Sequence, residues 1–318
     1  MKDPKTIRIV FMGTPGFAAG VLEHLLQERY SIVGVITAPD KPAGRGLDLQ
    51  ESEVKKVAVK HSLKILQPEK LKNPDFLNEL RALNAELQIV VAFRMLPEAV
   101  WKMPPMGTFN LHASLLPDYR GAAPINRAIM NGETKSGITT FFLEEKIDTG
   151  NILLREELTI GENETAGELH DRMMNSGAKL VARTIDGIAN ENLKPVPQSE
   201  LTKGMLHEAP KIFKPDCKID WNRTAKQIHD HVRGLSPYPS AWTILKKMSG
   251  EEIHLKIHKT SYRIFAHSFK PGTLLPGLDI ATSDGAVKIL ELQSPGKKKM
   301  DVESWLRGTK LDGTEFFI

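Results

Sequence analysis

The sequence predicts an α/β protein in which a doubly wound parallel sheet is followed by a small antiparallel barrel. Three observations carry this. Short apolar runs alternate with helical stretches through the first 190 residues; a polar, Pro-containing segment follows; beyond it, short alternating runs broken by Gly and Pro replace the helical pattern. A chain of 318 residues is long enough to bury a full core and carry a second, smaller domain. The expected division is a catalytic domain over 1–190, a linker over 191–204 and a second domain over 205–318.

The strand candidates of the first domain are, in order, Ile7 to Met12, Ile32 to Thr37, Leu63 to Leu66, Leu87 to Ala92, Thr108 to His112 and Gly137 to Leu143. Amphipathic segments such as Phe17 to Glu28 and Glu53 to His61 lie between them. Thr165-Ala166-Gly167-Glu168 has capping-box form and opens a periodic stretch through Leu169, Met173, Leu180, Val181 and Ile188, a helix that closes the domain. Around Pro195-Val196-Pro197 apolar periodicity is lost, which reads as a linker. After it come a helix over Thr224 to Arg233 and short strands at Ile253 to His258, Thr273 to Leu275, Asp279 to Thr282 and Val287 to Leu292.

Composition excludes several classes. With 41% hydrophobic and 26% charged residues the chain is neither disordered nor a membrane protein, and no apolar run approaches the roughly 20 residues that span a bilayer. Met1-Lys2-Asp3-Pro4-Lys5 runs into a strand with no signal-peptide features, so a cytoplasmic location without a membrane partner is expected. A single cysteine, Cys217, excludes an internal disulfide and any cysteine-rich metal site. Net charge is +4, and its distribution says more: from Met205 onward 18 Lys plus Arg face 13 Asp plus Glu, out of 43 and 39 in the whole chain, so the basic excess lies in the C-terminal third. A basic surface there suits nucleic acid, although a solvated, mildly basic face has the same composition.

Two glycine clusters carry no nucleotide signature. Gly13-Thr14-Pro15-Gly16-Phe17 lacks G-x-G-x-x-G spacing, and Gly44-Arg45-Gly46 is not followed by Gly-Lys-Ser/Thr; both read as tight turns. Asn110-Leu111-His112 is more informative. Two apart on a strand, Asn110 and His112 project from one face, at the carboxyl edge where open α/β sheets bind ligands. An Asn amide can donate to a developing oxyanion and a His can move a proton at neutral pH; a polar pair satisfied at a strand end is the competing interpretation. Asp148, in Lys146-Ile147-Asp148-Thr149-Gly150, follows a strand and can approach His112 and fix its tautomer. No Ser or Cys nucleophile accompanies the three, and the His/Asp content is too sparse for a metal site. The chemistry they permit is attack on a bound carbonyl by a substrate's own nucleophile.

The run Asn110-x-His112-x-Ser114-Leu115-Leu116-Pro117, then Tyr119-Arg120-Gly121, then Asp148-Thr149-Gly150, with 36 positions from His112 to Asp148, resembles the folate-dependent formyltransferases. The resemblance implies a Rossmann-like N-terminal domain and 10-formyltetrahydrofolate as formyl donor, with no metal. It implies catalytic roles for Asn110, His112 and Asp148, and a donor site lined by Ser114, Leu115, Leu116, Pro117, Met95 and Leu96. Asn110 would donate to the oxyanion, His112 would assist there or shuttle a proton, and Asp148 would orient His112 and help remove the amine proton.

Within the family, Phe11-Met12-Gly13-Thr14-Pro15-x-Phe17-Ala18, the loop Pro39 to Gly46 and the C-terminal Val232-Arg233-Gly234-Leu235-Ser236-Pro237-Tyr238-Pro239 are similar to the branch that formylates initiator methionyl-tRNA. That implies an OB-like second domain, with Lys41 and Arg45 meeting tRNA; a monomer is the expected assembly. Gly16, Lys146-Ile147, Leu47-Asp48 and Arg94 depart from the usual pattern. An amino-sugar formyltransferase using the same donor is the alternative, and a non-catalytic tRNA- or folate-binding module the reading from another class.

Overall fold

The computed structural model describes residues 2–43, 48–202, 204–309, 311 and 315–318. Packing groups the chain into two compact units, one of Met1–Gly121, Gly137–Leu158 and His170–Glu208, the other of Ala122–Ser136, Thr159–Leu169 and Ala209–Ile318. Within residues 191–204, read from the sequence as a linker, Val196 and Ile152 of the first unit exchange main-chain hydrogen bonds of 2.8 and 2.9 Å, and a 3-10 turn, Gln198–Leu201, follows.

The first unit is built on a seven-stranded sheet in the spatial order Ile152–Thr159, Lys135–Phe142, Thr108–His112, Leu87–Val91, Ile9–Gly13, Ile32–Ile36, Ile65–Leu66. The central Ile9–Gly13 and Leu87–Val91 are buried at every position, which is why their sequences are apolar without alternation apart from the buried Gln88. The helix Gly16–Gln27 buries Phe17, Ala18, Val21, Leu22 and Leu25, a stripe at helical spacing. Gly13 is a packing residue: a Cβ there would lie 2.5 Å from Ala18 Cβ and 2.9 Å from the Val91 carbonyl oxygen.

Five strands, from Ile65–Leu66 across to Thr108–His112, are parallel as expected. The next is not. Lys135–Phe142 runs antiparallel to Thr108–His112, setting Asn110 opposite Phe141 and His112 opposite Thr139. The edge strand Ile152–Thr159 was not legible, because only Ile152 and Leu153 are buried and the charged run Arg155-Glu156-Glu157 follows on half-buried and exposed positions. The loop 143–151 before it is too short for a parallel crossover, which needs about a dozen residues or more, so the last two strands form a hairpin.

The second unit is a nearly closed antiparallel barrel in the order Leu274–Leu275, Asp279–Ala281, Gly285–Gln293, Glu252–Ile264, Ala241–Lys246, Phe316–Phe317. A bridge between Thr273 and Phe316 joins the two ends. The helix Ala225–Leu235 starts at a capping box made by Thr224 and Gln227 and buries Ile228 and Val232 in a core with Trp221, Leu245, Ile257, Trp305 and Phe317. Both core tryptophans satisfy their ring N–H groups, Trp221 on Thr243 Oγ1 and Trp305 on Ser294 Oγ, each at 2.9 Å. Among the described residues no helix is long and apolar enough to cross a membrane.

Three histidines buried in this unit give it a pH dependence. Burial pushes the His231 imidazole down to about 4 and also lowers His229 and His258. Above about 6.5 folded and unfolded chains are both neutral at these groups and nothing changes; below it only the unfolded chain takes up the protons, so stability falls with pH until the folded groups titrate. Between pH of about 7 and about 5, His231 alone should cost about 2 kcal/mol. Urea unfolding across this range should therefore show a steeper loss for the wild type than for His231→Gln; equal slopes would assign the loss to other groups.

Candidate active site

The strand Thr108–His112 has the bounds expected from the sequence, and its pleat puts Asn110 and His112 on one face. Asn110 is half-buried, and among the described residues its side-chain amide has no hydrogen-bond partner. His112 is only 7% exposed.

Beyond His112 the chain makes a tight, buried turn. Ser114 Oγ donates to the Asp118 carbonyl at 2.6 Å. The Ser114 carbonyl accepts from Thr139 Oγ1 at 2.7 Å, and the same hydroxyl oxygen accepts from Leu116 N at 3.2 Å. The Leu116–Pro117 bond is cis, and Leu116 is buried with Phe141 and Ile152. Tyr119 then takes a left-handed φ of 58°, and its carbonyl oxygen lies 2.9 Å from His112 Nε2. A carbonyl only accepts, so Nε2 carries the hydrogen and donates it; in the neutral imidazole Nδ1 is left with a bare lone pair.

That nitrogen faces Asp148. Asp148 Oδ2 lies 3.9 Å from His112 Nδ1 and accepts from the Gly121 main-chain N–H at 3.1 Å. The separation from His112 is too long for a direct hydrogen bond. The tautomer is therefore set by the Tyr119 carbonyl and not by the carboxylate, which corrects the expectation from the sequence. A main-chain acceptor leaves no mark on residue type, so nothing in the sequence pointed to Tyr119.

The strand, the turn and the 143–151 loop thus bring Asn110, His112 and Asp148 to one end of the sheet's antiparallel edge. Of the residues that the resemblance assigned to a donor site, Ser114, Leu116 and Pro117 are buried in the turn, Leu115 is half-buried, and Leu96 is buried in a cluster with Val10, Met12 and Val90. Met95 is 71% exposed. The loop carrying it is pinned by Arg94, whose guanidinium donates to the Pro68 and Glu69 carbonyls. Lys41 is exposed on a short antiparallel pair, Lys41–Ala43 with Asp48–Gln50, and Arg45 lies outside the described residues. Before this pair, hydrogen bonds from Lys55 and Gln67 hold the Asp40 carboxyl below the ordinary carboxylate range. Among the described residues no group of three or more His, Cys, Asp or Glu is placed to hold a metal ion.

One contributor was missed by sequence reasoning. Gln198, in the expected linker, is buried and donates to the main-chain carbonyls of Asp148 and Gly150. The only trace of it in the sequence is the valine between two prolines just before it, which reads as a short extended edge segment.

Residues 7–185 match the family described as formyl transferase, and residues 211–310 match the formyl transferase C-terminal domain. A methionyl-tRNA formyltransferase of Bacteroides fragilis is 50% identical over 316 residues, covering 98% of this chain and 97% of that protein. The chain belongs to the methionyl-tRNA formyltransferase family. A member of the same family from Flavobacterium johnsoniae is 52% identical over 305 residues, covering 95% of this chain and 96% of its own. Solved structures share the fold at lower identity. A sugar 3N-formyl transferase, WlaRD, solved in the presence of dTDP and 5-N-formyl-THF, has a TM-score of 0.65 at 21% identity, covering 92% of this chain and 99% of that one. HypX from Aquifex aeolicus in complex with tetrahydrofolic acid has a TM-score of 0.62 at 20% identity, covering 94% of this chain and 47% of that one. Members of the methionyl-tRNA formyltransferase family therefore match this chain from end to end at about half of its positions, whereas these two solved neighbours, with about a fifth, share the architecture.

Proposed function

We propose that the chain transfers the formyl group of 10-formyltetrahydrofolate to the α-amino group of methionine carried by initiator tRNA, with Asn110, His112 and Asp148 at the reacting centre. The observation that carries the reading is the pairing of two hydrogen-bond acceptors, His112 Nδ1 and Asp148 Oδ2, 3.9 Å apart, with Asn110 on the same strand face as His112 and its amide without a hydrogen-bond partner among the described residues. A primary amine has two hydrogens on one nitrogen and can donate to both acceptors at once.

In the reaction the amine nitrogen bonds to the formyl carbon, and the carbonyl oxygen takes up negative charge in the tetrahedral intermediate. Asn110 donates to that oxygen, which strengthens a hydrogen bond as the charge develops. The proton lost by the amine passes to the His112 and Asp148 pair, and the bond to N10 of the folate then breaks with N10 taking up a proton. Folate contact is assigned to the exposed Met95 with the neighbouring main chain and to the half-buried Leu115. Ser114, Leu116 and Pro117 hold the shape of the turn.

The tRNA acceptor is favoured over an amino sugar by the identity to relatives with that activity along the whole chain. Offering 10-formyltetrahydrofolate separately with methionyl-tRNA, glycinamide ribonucleotide and a nucleotide-linked amino sugar tests the choice. Transfer to methionyl-tRNA alone is expected, and transfer to the sugar instead would replace the reading by the alternative. Lys41, Arg45 and the basic C-terminal third are assigned to tRNA phosphates, so KM for tRNA should rise steeply with salt, roughly as the power of the number of phosphates neutralised. A salt-independent KM would remove that role.

A further inference from the structure

The side chain of Gln198 is 4% exposed and spends its whole amide on the active-site loops. Nε2 donates to the carbonyl oxygens of Asp148 and Gly150, both at 2.9 Å. Oε1 accepts from Arg120 Nε at 3.1 Å and from Arg120 Nη2 at 2.5 Å. The orientation of the amide is fixed by its partners, because a guanidinium only donates and a carbonyl only accepts. Asp148 itself has a left-handed φ of 52°, a conformation that a non-glycine residue keeps when its surroundings over-determine it. The surroundings that do so are the amide of Gln198 on the main chain and the N–H of Gly121, next to Arg120, on the carboxylate.

The segment bearing Gln198 is itself secured. Val196 pairs with Ile152 on one side of it, and Leu201 packs on the cluster of Leu116, Phe141 and Ile152 on the other. The same small cluster therefore supports the Leu116 turn and the Gln198 turn.

We infer that Gln198 is a positioning residue for the transfer reaction: through the Asp148 and Gly150 carbonyls and through Arg120 it sets where the Asp148 carboxylate stands relative to His112 Nδ1. The inference rests on the reading of Asp148 as part of the proton-accepting pair. It gives the expected linker an indirect part in the chemistry, exerted through the Asp148 loop and Arg120.

The test uses the full chain with Gln198→Glu, Gln198→Leu and, as a control on the reading itself, Asp148→Asn. Gln198→Glu is isosteric and keeps an acceptor for Arg120, but when ionised it turns an oxygen against two carbonyl oxygens; once protonated it regains one donor. Turnover in Gln198→Glu should fall at neutral pH by about 10²-fold, the scale of a misplaced catalytic group. Its KM for tRNA and for folate should stay within about twofold, as for a group acting only on the reacting geometry. The ratio of its kcat to that of the wild type should recover as pH falls through the range where the new carboxyl protonates. Gln198→Leu should lose kcat with no such recovery. If Asp148→Asn is crippled while Gln198→Glu keeps kcat within about twofold of wild type, or loses it equally at every pH, the positioning role is overturned. If Asp148→Asn turns over normally, the reading of the site fails and not merely the part given to Gln198. The pH profile of Gln198→Glu decides even where Gln198→Leu does not fold.

Discussion

Replacing Asn110 by alanine is expected to lower turnover about 10²- to 10³-fold and to leave the fold intact. Both halves of the expectation follow from its surroundings. The amide stands in the interior of the Thr108–His112 strand, held in register by Val90 on one side and Phe141 on the other, and those pairings are made by the main chain. Its side chain has no hydrogen-bond partner among the described residues, so removing it strands no buried donor or acceptor. The loss should therefore fall on kcat, because the oxyanion exists only past the ground state, while KM for either substrate changes little. Single-turnover formyl transfer with saturating tRNA, beside a thermal melt, separates the two. A variant with near-normal turnover would remove Asn110 from the reacting centre.

Gly150→Ala should be as damaging by a different route. A Cβ at this position would lie 1.7 Å from the Phe142 carbonyl oxygen and 2.8 Å from its carbon, both main-chain atoms at the end of a strand. Neither is the movable tip of a side chain, and Phe142 N is already bonded to the Asn151 carbonyl at 3.0 Å. The alanine must open the neck of the loop, carrying the Gly150 and Asp148 carbonyls away from Gln198 and the carboxylate away from His112. Overpacking of this kind costs about 1–3 kcal/mol. Turnover should drop by about 10²- to 10⁴-fold, as for loss of a general base. Denaturant unfolding and kcat measured on the same preparation check both effects; a variant with wild-type kcat would show that the loop's placement is not needed for turnover.

The glycine illustrates how far residue types carry. Asp148-Thr149-Gly150 was legible as a motif, but the need for glycine comes from a strand end eight residues earlier, met only once the hairpin closes. Similarly, the buried parallel strands were legible because a strand covered on both faces is apolar at nearly every position, Gln88 being an exception, whereas strand direction leaves no such imprint. Lys135–Phe142 was found as a strand and missed as antiparallel for that reason. The barrel strands were found in part, and Ala241–Lys246, which alternates buried and half-buried positions, went unread between a cluster of prolines and a lysine-rich turn.

By itself the sequence determined the α/β order, the face shared by Asn110 and His112, and the family, because periodicity, local spacing and motif are properties of neighbours along the chain. Only the tertiary structure decided which atom fixes the His112 tautomer, how far Asp148 stands from it, and that Gln198 holds the loop. Those depend on main-chain carbonyls and on residues fifty positions apart, such as Asp148 and Gln198, and a carbonyl belongs to every residue alike. Its role is assigned by where the folded chain points it.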